Sequence, residues 1–439
     1  MKYYSTNKKS PIVTFREAIY KGLPDDNGLY LPIEIPVLPT DFFEHISDKT
    51  LPEIGFQVAR NFIGDEIPEN DLEKIIAEVL NFDIPLKEVA QDVYALELYH
   101  GPTYAFKDVG ARFLARCLSY FVEGTGNKLT ILVATSGDTG SAVANGFYQV
   151  EGIDVVLLYP GGGKVSKIQE QQLTTLGGNI TAIEIDGTFD DCQHMVKEAF
   201  LDQQLAKKRN LTSANSINIA RLIPQSFYYF HALAKLGHTD KPVVFSVPSG
   251  NYGNLSAGLM ARQMGLEFDR MLACSNINNV VPEYLRSGKY EPRPSRMTVS
   301  NAMDVGNPSN FARMQSWYGK SADAMNGFIS GYWYDDEITK KCLKEVYLEY
   351  NYLMDPHGAI GYLGLKEYQQ RHEVTGIFLE TAHPAKFIDV VEEAIDEKID
   401  LPKGLAQCLD KKKEAIRMSA EYSALKEYLM EEKPSEAHS

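Results

Sequence analysis

The sequence lacks the features that mark membrane proteins and disulfide-bonded proteins. No apolar run reaches the roughly 18 residues that a membrane-spanning helix needs, and the opening MKYYSTNKKSPIVTF has no apolar core of the kind found in signal peptides. The five cysteines are scattered and form no CxxC pair, so we expect free thiols in a reducing compartment. These absences predict a cytoplasmic protein that does not enter a membrane.

The sequence also lacks an excess of positive charge and any metal-binding pattern. Lys and Arg total 44 against 59 Asp and Glu, which gives a formal net charge of −15. This balance argues against a nucleic-acid partner, because nucleic-acid-binding proteins present basic surfaces. The nine histidines form neither HxH nor HExxH, so we do not expect a metal hydrolase or a bound metal.

The common nucleotide-binding fingerprints are missing as well. GxGxxG does not occur, and GGGKV (161–165) is not a P-loop, because Lys164 is followed by Val165 where that motif has Ser or Thr.

The chain is long enough for several domains. It has 439 residues, of which 44% are apolar, and we expect two or three domains. Residues 1–95 mix Pro-rich loops with short helical patterns and should form an N-terminal domain. We place a smaller α/β domain at 96–185 and a larger α/β domain at 186–439, which ends in surface helices from about Lys411.

From about residue 90, short apolar runs alternate with helical patterns. These runs are LTILVAT (129–135), IDVVLLYP (153–160), NITAIEI (179–185), PVVFSV (242–247), RMLACSN (270–276) and TGIFLETA (375–382). Continuous apolar runs between helices indicate parallel sheets that are covered on both faces, so the fold class is α/β. Ligands bind such sheets at the carboxyl ends of the strands, and four polar motifs lie near strand ends or helix starts.

The first motif is HGPTYAFKDVGARF (100–113), which places Lys107 between Phe106 and Asp108 at a loop–helix junction. Burial there would lower the pKa of the lysine and make its neutral amine a nucleophile. The alternative is a surface lysine that pairs with Asp108.

The second motif, PSGNYGN (248–254), joins a strand to a helix. Its backbone N–H groups and the helix dipole would bind an anion, although a plain tight turn is the alternative.

The third motif, TSGDTGSA (135–142), offers backbone N–H groups and the hydroxyls of Ser136 and Thr139 to a carboxylate, but it also contains Asp138. The fourth, NSINIARLIPQ (215–225), places Asn218 and Arg221 three residues apart on one helix face. An arginine fork suits phosphate, and a structural ion pair is the alternative for Arg221.

In this order, the four motifs resemble those of the threonine synthase family, which belongs to the fold type II pyridoxal phosphate (PLP) enzymes together with tryptophan synthase β and cysteine synthase. GGKVSKIQEQQ, NAMDVGNPSNFAR, TAHPAKF and the N-terminal FREAIYKGLPDDNGLYLP strengthen the resemblance, which covers about residues 1–395.

The resemblance implies a role for each matching residue. Lys107 would form the Schiff base with PLP, and Thr381 would hydrogen-bond the pyridine nitrogen. The cofactor phosphate would be held by Ser249, Gly250, Asn251, Tyr252, Gly253 and Asn254. The substrate carboxylate and the cofactor 3′-oxygen would lie near Ser136, Gly137, Asp138 and Thr139. The phosphate of the substrate would be held by Lys164, Lys167, Asn218 and Arg221, and the sequence does not decide between the two lysines.

The implied reaction is the conversion of O-phosphohomoserine and water to threonine and phosphate, with Lys107 carrying the α-proton. Two anion sites match two phosphates: a neutral loop for a permanently held cofactor, and real charges for a departing group. Two alternatives stay open. One is another fold type II enzyme, such as a serine or threonine dehydratase or a cysteine synthase, which needs no phosphate pocket for its substrate. The other is a catalytically silent ligand-binding homologue.

Overall fold

In the computed structural model, which describes residues 1–126 and 128–431, short strands and helices alternate along the chain. The strands are β1 (Lys2–Ser5), β2 (Val13–Thr14), β3 (Tyr30–Pro32), β4 (Leu86–Ala90), β5 (Val93–Glu97), β6 (Leu129–Ala134), β7 (Ile153–Pro160), β8 (Ile180–Asp186), β9 (Asn210–Ser213), β10 (Val243–Pro248), β11 (Arg270–Ser275), β12 (Ile329–Trp333), β13 (Thr375–Glu380) and β14 (Ile416–Ser419).

The helices lie between and around these strands. The α-helices are α1 (Phe15–Lys21), α2 (Thr40–Glu44), α3 (Leu51–Ile63), α4 (Glu69–Val79), α5 (Lys107–Val122), α6 (Asp138–Phe147), α7 (Lys167–Thr174), α8 (Phe189–Leu201), α9 (Gln203–Lys208), α10 (Ile219–Leu222), α11 (Phe227–Leu236), α12 (Gly253–Gln263), α13 (Val280–Ser287), α14 (Phe311–Tyr318), α15 (Ala322–Asn326), α16 (Asp336–Tyr350), α17 (Pro356–Gln369), α18 (Ile388–Ile395), α19 (Lys403–Leu409) and α20 (Tyr422–Met430). Short 3₁₀ helices occupy Ile46–Asp48, Gly64–Glu66, Ile223–Ser226, Asn301–Met303 and Pro384–Phe387. No helix of this described part is both long and apolar enough to span a bilayer.

The N-terminal region is a small antiparallel sheet with helices packed beside it. Strand β1 lies between β2 and β3, and the Tyr3 hydroxyl donates to the Phe62 carbonyl oxygen at 2.6 Å. Helix α3 begins at a capping box in which Thr50 and Glu53 satisfy each other's backbone N–H groups. Its apolar face is fully buried, so the helix is held by packing more than by propensity.

Two larger sheets form the rest of the fold. One has six strands in the order β12-β11-β10-β13-β5-β4, all paired in parallel except for β4 and β5. The other has five parallel strands in the order β14-β8-β7-β6-β9. Each of the six predicted apolar runs forms a strand of one of these sheets, and the predicted α/β class is confirmed.

The chain passes more than once between the two sheets. Strand β5 (Val93–Glu97) pairs with β13, and β9 (Asn210–Ser213) pairs with β6. Each large sheet therefore takes a strand from beyond the limits at residues 95 and 185 that the sequence suggested, and those limits stay a prediction.

The C-terminal segment differs from the expected surface helices. Strand β14 (Ile416–Ser419) adds a parallel edge to the five-stranded sheet by pairing with β8. The following helix, α20, buries Leu425 and Leu429. The run IRMS is short and mostly exposed, so it carries none of the apolar signal of a buried strand.

Candidate active site

A cavity of about 1370 Å³ opens where β6, β10 and β13 end. It brings together most of the residues that the sequence singled out. The predicted residues in its wall are Lys107, Ser136, Asp138, Thr139, Arg221, Ser249, Gly250, Asn251, Tyr252, Gly253, Asn254 and Thr381. Since both large sheets contribute to it, this cavity is the candidate active site.

Lys107 is the first residue of α5, and its amine faces the cavity. The side chain is 16% exposed, and Nζ lies 3.7 Å from Asp138 Oδ2 and 4.8 Å from the centroid of the Phe106 ring. Burial lowers the pKa of the Lys107 amine, the nearby Asp138 opposes that shift, and the positive charge of Lys386 adds to it. The arrangement favours the neutral, nucleophilic amine.

Asp108, the alternative partner of Lys107, is engaged elsewhere. Its carboxylate accepts hydrogen bonds from the hydroxyl of Thr103 at 2.5 Å and from the backbone N–H of the same residue at 2.9 Å. Asp108 therefore holds the turn that leads into α5.

The loop from Ser249 to Asn254 joins β10 to α12 and forms one wall of the cavity. A Cβ on Gly250 would lie 2.6 Å from the Cα of Met303, so the close approach of these two backbones requires glycine. Tyr252 adopts a positive φ of 60° and donates to or accepts from the hydroxyl of Ser275 at 2.7 Å. The loop is held in a shape that presents the N-terminus of α12 to the cavity.

Asn254 carries an unused donor in this loop. Its Oδ1 accepts a hydrogen bond from the Tyr229 hydroxyl at 2.6 Å, whereas its buried Nδ2 has no hydrogen-bond partner within the described residues. A phosphate bound at the N-terminus of α12 would supply an acceptor. A buried amine, a glycine-lined anion cradle and a free amide donor around one cavity fit PLP.

Thr381 follows β13 and lies against the start of α5, the helix that begins at Lys107. Its carbonyl oxygen accepts the N–H of Phe106 at 2.9 Å, and the residue lines the cavity. A hydroxyl at this place could hydrogen-bond a ring nitrogen without contributing charge.

Asp138 lies between two lysines. Its Oδ1 is 2.7 Å from Lys386 Nζ and accepts a hydrogen bond from Gln169 Nε2 at 2.8 Å. Burial would raise the pKa of this carboxyl, but Lys386 and Lys107 together hold it well below its usual range. The carboxylate is therefore ionised inside the protein.

Lys386 was not predicted as a site residue, although it lies in the segment TAHPAKF. Its side chain is fully buried, and its amine also donates to the carbonyl oxygen of Thr103 at 3.0 Å. A lysine inside an apolar segment is the only sign of it in the sequence, because Asp138 is far away along the chain.

The pair of His357 and Asp355, which was not predicted from the sequence, supports the segment that packs against the loop from Ser249 to Asn254. His357 Nδ1 forms a short hydrogen bond with Asp355, the N-cap of α17. Its Nε2 accepts the N–H of Ala302 at 3.3 Å. Ala302 and Met303 are the residues against which Gly250 packs, so this pair fixes the position of the loop.

The residues predicted to hold the substrate phosphate are not all together. Arg221 lines the cavity, and its Nε has no hydrogen-bond partner in the part of the chain that the structure describes. Asn218 is the N-cap of α10, and its side-chain amide donates to the carbonyl oxygens of Ile19 and Ser213. The structure thus brings Arg221, but not Asn218, to the cavity wall.

The other predicted residues of the substrate side lie outside the wall. Lys164 is exposed and donates to the carbonyl oxygen of Gly187 at 2.7 Å, and Lys167 is exposed at the start of α7. Gly137, with a φ of 139°, packs closely against the Gln169 side chain.

Comparison with known families identifies three matching models that cover almost the whole chain. Residues 2–80 match the N terminus of threonine synthase, residues 79–377 match the pyridoxal-phosphate-dependent enzymes, and residues 358–429 match the C-terminal part of threonine synthase.

Curated relatives match over nearly their full length. The chain is 41% identical to threonine synthase of Escherichia coli K12, covering 98% of this chain and 99% of the relative. It is 43% identical to threonine synthase of Haemophilus influenzae, covering 98% and 100%.

Solved structures agree with this result. The crystal structure of Escherichia coli threonine synthase matches with a TM-score of 0.91 at 40% identity over 98% of this chain and 99% of that one. PLP-bound threonine synthase of Brucella melitensis matches with a TM-score of 0.90 at 35% identity over 98% of each chain. Maize serine racemase, at 16% identity over 74% of this chain and 97% of that one, shares the fold, with a TM-score of 0.54.

Proposed function

The chain belongs to the threonine synthase family of PLP-dependent lyases, and from that premise we propose that it converts O-phosphohomoserine and water to threonine and phosphate. The family, the enzyme class and the cofactor predicted from the sequence are thereby confirmed. The particular substrate and the role of each residue belong to the proposal.

One observation supports the phosphorylated substrate most directly: two different groups of hydrogen-bond donors that suit an anion line the cavity that contains Lys107. The first is the uncharged loop at the N-terminus of α12, with the unused Asn254 Nδ2. The second is the guanidinium of Arg221, which packs against α5 so closely that a Cβ on Gly110 would lie 3.1 Å from its Nε. A neutral cradle suits a phosphate that stays, and a full positive charge stabilises one that leaves.

In this proposal the residues that hold PLP are Lys107, the loop from Ser249 to Asn254, and Thr381. When bound, PLP withdraws electrons from the substrate and thereby makes its α-hydrogen and β-hydrogen acidic. Lys107 takes the α-proton and returns it at the end. The lowered pKa of its amine supports this role, because a base must be unprotonated at the working pH.

The remaining polar residues bind and orient the substrate. Ser136 and Thr139 lie in the cavity wall at the start of α6, where a carboxylate would meet backbone N–H groups and hydroxyls. Arg221 would bind the leaving phosphate. Lys164, Lys167 and Asn218 stay predictions as phosphate ligands, since none of the three belongs to the cavity wall.

The experiment mixes purified protein with PLP and O-phosphohomoserine and measures phosphate and threonine together. Equal release of the two products, absent in Lys107→Ala, would support the proposal. Release of phosphate with 2-oxobutyrate would make the protein an eliminating lyase and overturn it. Parallel incubations with threonine and with O-acetylserine test the dehydratase and the cysteine synthase alternatives.

We also propose that the protein works in the cytoplasm on small molecules and without nucleic acid. The scattered cysteines, which are all free thiols, and the net charge of −15 support this view. Cell fractionation with an antibody to the chain is the corresponding test.

A further inference from the structure

We propose that Lys386 is a positioning residue that neutralises Asp138 and thereby leaves the cofactor lysine, Lys107, as a free amine able to capture PLP. This inference rests on the proposed role of Lys107, and it adds a residue for which the mechanism above has no use.

The geometry places the three groups in one line of contacts. Lys386 Nζ is 2.7 Å from Asp138 Oδ1, and Asp138 Oδ2 is 3.7 Å from Lys107 Nζ. Lys386 has a side-chain exposure of 0% and Asp138 one of 2%, so water screens neither charge. The carboxylate thus has a near cation on one oxygen and a more distant one on the other.

Asp138 interacts more strongly with Lys386 than with Lys107, because its contact with Lys386 is the shorter one. An opposite charge within about 4–6 Å raises the pKa of a lysine by roughly 1–3 units, so an unpaired Asp138 would hold Lys107 as an ammonium ion. Because Lys386 is closer and is also fixed by the carbonyl oxygen of Thr103 at 3.0 Å, the negative charge of Asp138 is already compensated. Lys107 then faces a nearly neutral pair. Burial is the largest cause that lowers its pKa, and of the other charges near it Arg221 adds to the lowering whereas Asp355 opposes it.

The pair also joins the two large sheets. Lys386 lies in the 3₁₀ helix Pro384–Phe387 after β13 of the six-stranded sheet, and Asp138 begins α6 after β6 of the five-stranded one. A purely structural bridge is the competing explanation. It predicts that any neutral replacement of Lys386 destabilises the protein, because Asp138 is left buried and unpaired, but it predicts no specific change in the charge of Lys107.

The experiment compares the wild type with Lys386→Met, Lys386→Gln and the double variant Lys386→Met/Asp138→Asn. Cofactor-free protein is mixed with PLP over a pH series, the covalent adduct is trapped with borohydride, and the adduct on the Lys107 peptide is measured by mass spectrometry. The readout is the pH midpoint of capture, not catalytic activity. Ionisation of PLP itself is common to all variants and cancels in the comparison.

Both single variants should shift the midpoint upward by about one pH unit or more, which makes capture near neutral pH about tenfold slower. The double variant removes both charges and should return to the wild-type midpoint. If Lys386→Met does not fold, Lys386→Gln decides, because its amide can still donate toward Asp138 or Thr103.

Lys413→Met is the matched control. Like Lys386, Lys413 forms short ion pairs, in its case with the two carboxylates of Glu170 and Glu184 at 2.7 Å each, and it lies outside the cavity wall. Its loss should lower the melting temperature but leave the capture midpoint unchanged.

Unchanged midpoints in the single variants, or a double variant shifted as far as the single one, would overturn the role of Lys386. Trapping of PLP on a residue other than Lys107 in the wild type would instead refute the proposed function itself, so the two failures are distinguishable.

Discussion

The substitution Gly250→Ala should weaken PLP binding, because the loop that we propose holds the cofactor phosphate has no room for a methyl group. The added Cβ would lie 2.6 Å from Met303 Cα and 2.9 Å from the carbonyl oxygen of Ala302. Carbon atoms in favourable contact are about 3.5–4.0 Å apart, so the two backbones must separate by about 1 Å. Both atoms belong to the backbone, so the clash cannot be relieved by the rotation of a side chain.

The magnitude follows from the cost of overpacking. An extra methyl group in a well-packed site costs about 1–3 kcal/mol, and a separation of the loop from its support displaces the N–H groups that would meet the phosphate. If that cost falls on the cofactor-bound state, PLP affinity drops about 5- to 150-fold, since 1.4 kcal/mol corresponds to tenfold.

The assay is a titration of cofactor-free protein with PLP, followed by the absorbance of the bound cofactor. Gly331→Ala in β12 is the control, because a Cβ there would lie 2.8 Å from the Cα of Pro282 in α13, and neither residue belongs to the cavity wall. The control should lower the melting temperature without changing PLP affinity. If Gly250→Ala binds PLP as tightly as the wild type, the loop is not the phosphate site.

Three other substitutions have distinct expected outcomes. Asn254→Asp should weaken PLP binding at least tenfold in the same titration, since it places a carboxylate where the free Nδ2 would meet phosphate; unchanged affinity would remove Asn254 from the cradle. Arg221→Lys should lower kcat/KM for O-phosphohomoserine about 10²–10³-fold while PLP still binds, because it replaces the guanidinium proposed to stabilise the leaving group; steady-state kinetics showing full activity would argue against that role. Glu380→Gln should gain stability relative to the wild type as the pH rises above 4.5, the ordinary pKa of the group. Burial, together with the charge of Asp355, raises the pKa of Glu380, so the folded state keeps a proton that the unfolded chain releases. A difference in melting temperature between Glu380→Gln and the wild type that stays constant over a pH series would contradict this last prediction.

The strands that could be predicted from the sequence are those in the interior of the sheets. The six apolar runs became β6, β7 and β8 of the five-stranded sheet, and β10, β11 and β13 of the six-stranded one. The edge strands β4, β9, β12 and β14 escaped prediction. An edge strand is partly exposed and needs no continuous apolar run, so its pairing depends on the neighbour that it meets after folding.

One interior strand also escaped prediction. Strand β5 (Val93–Glu97) lies between β13 and β4, and it ends in the buried Glu97, whose carboxylate is 2.7 Å from His100 Nε2. A charged residue at the end of a short apolar run makes the strand hard to predict. The burial of that residue depends on a partner that lies outside the run.

The candidate site shows the same division between local and distant information. The glycines and asparagines of PSGNYGN reveal an anion site locally, because the residue types themselves describe the backbone shape. Lys164 and Lys167 were selected by resemblance alone and Asn218 also by its spacing from Arg221, and the structure places all three outside the cavity wall. Lys386 could not be selected, because its importance comes from Asp138, which is distant in sequence and adjacent in space.

The reactivity of Lys107 is therefore a property of the assembled fold and not of the motif that contains it. HGPTYAFKDVGARF supplies the lysine and the turn that starts α5. In that turn Thr103 donates two hydrogen bonds to the carboxylate of Asp108. The charge balance around the amine comes from elsewhere: Asp138 begins a helix of the five-stranded sheet, and Lys386 follows a strand of the six-stranded one. The five-stranded sheet alone would leave the Asp138 carboxylate uncompensated beside Lys107, which favours the ammonium form of that amine. If Lys386 acts as we propose, the charge of Asp138 is compensated only when both sheets are in place, and assembly of the cleft then contributes to the activation of Lys107.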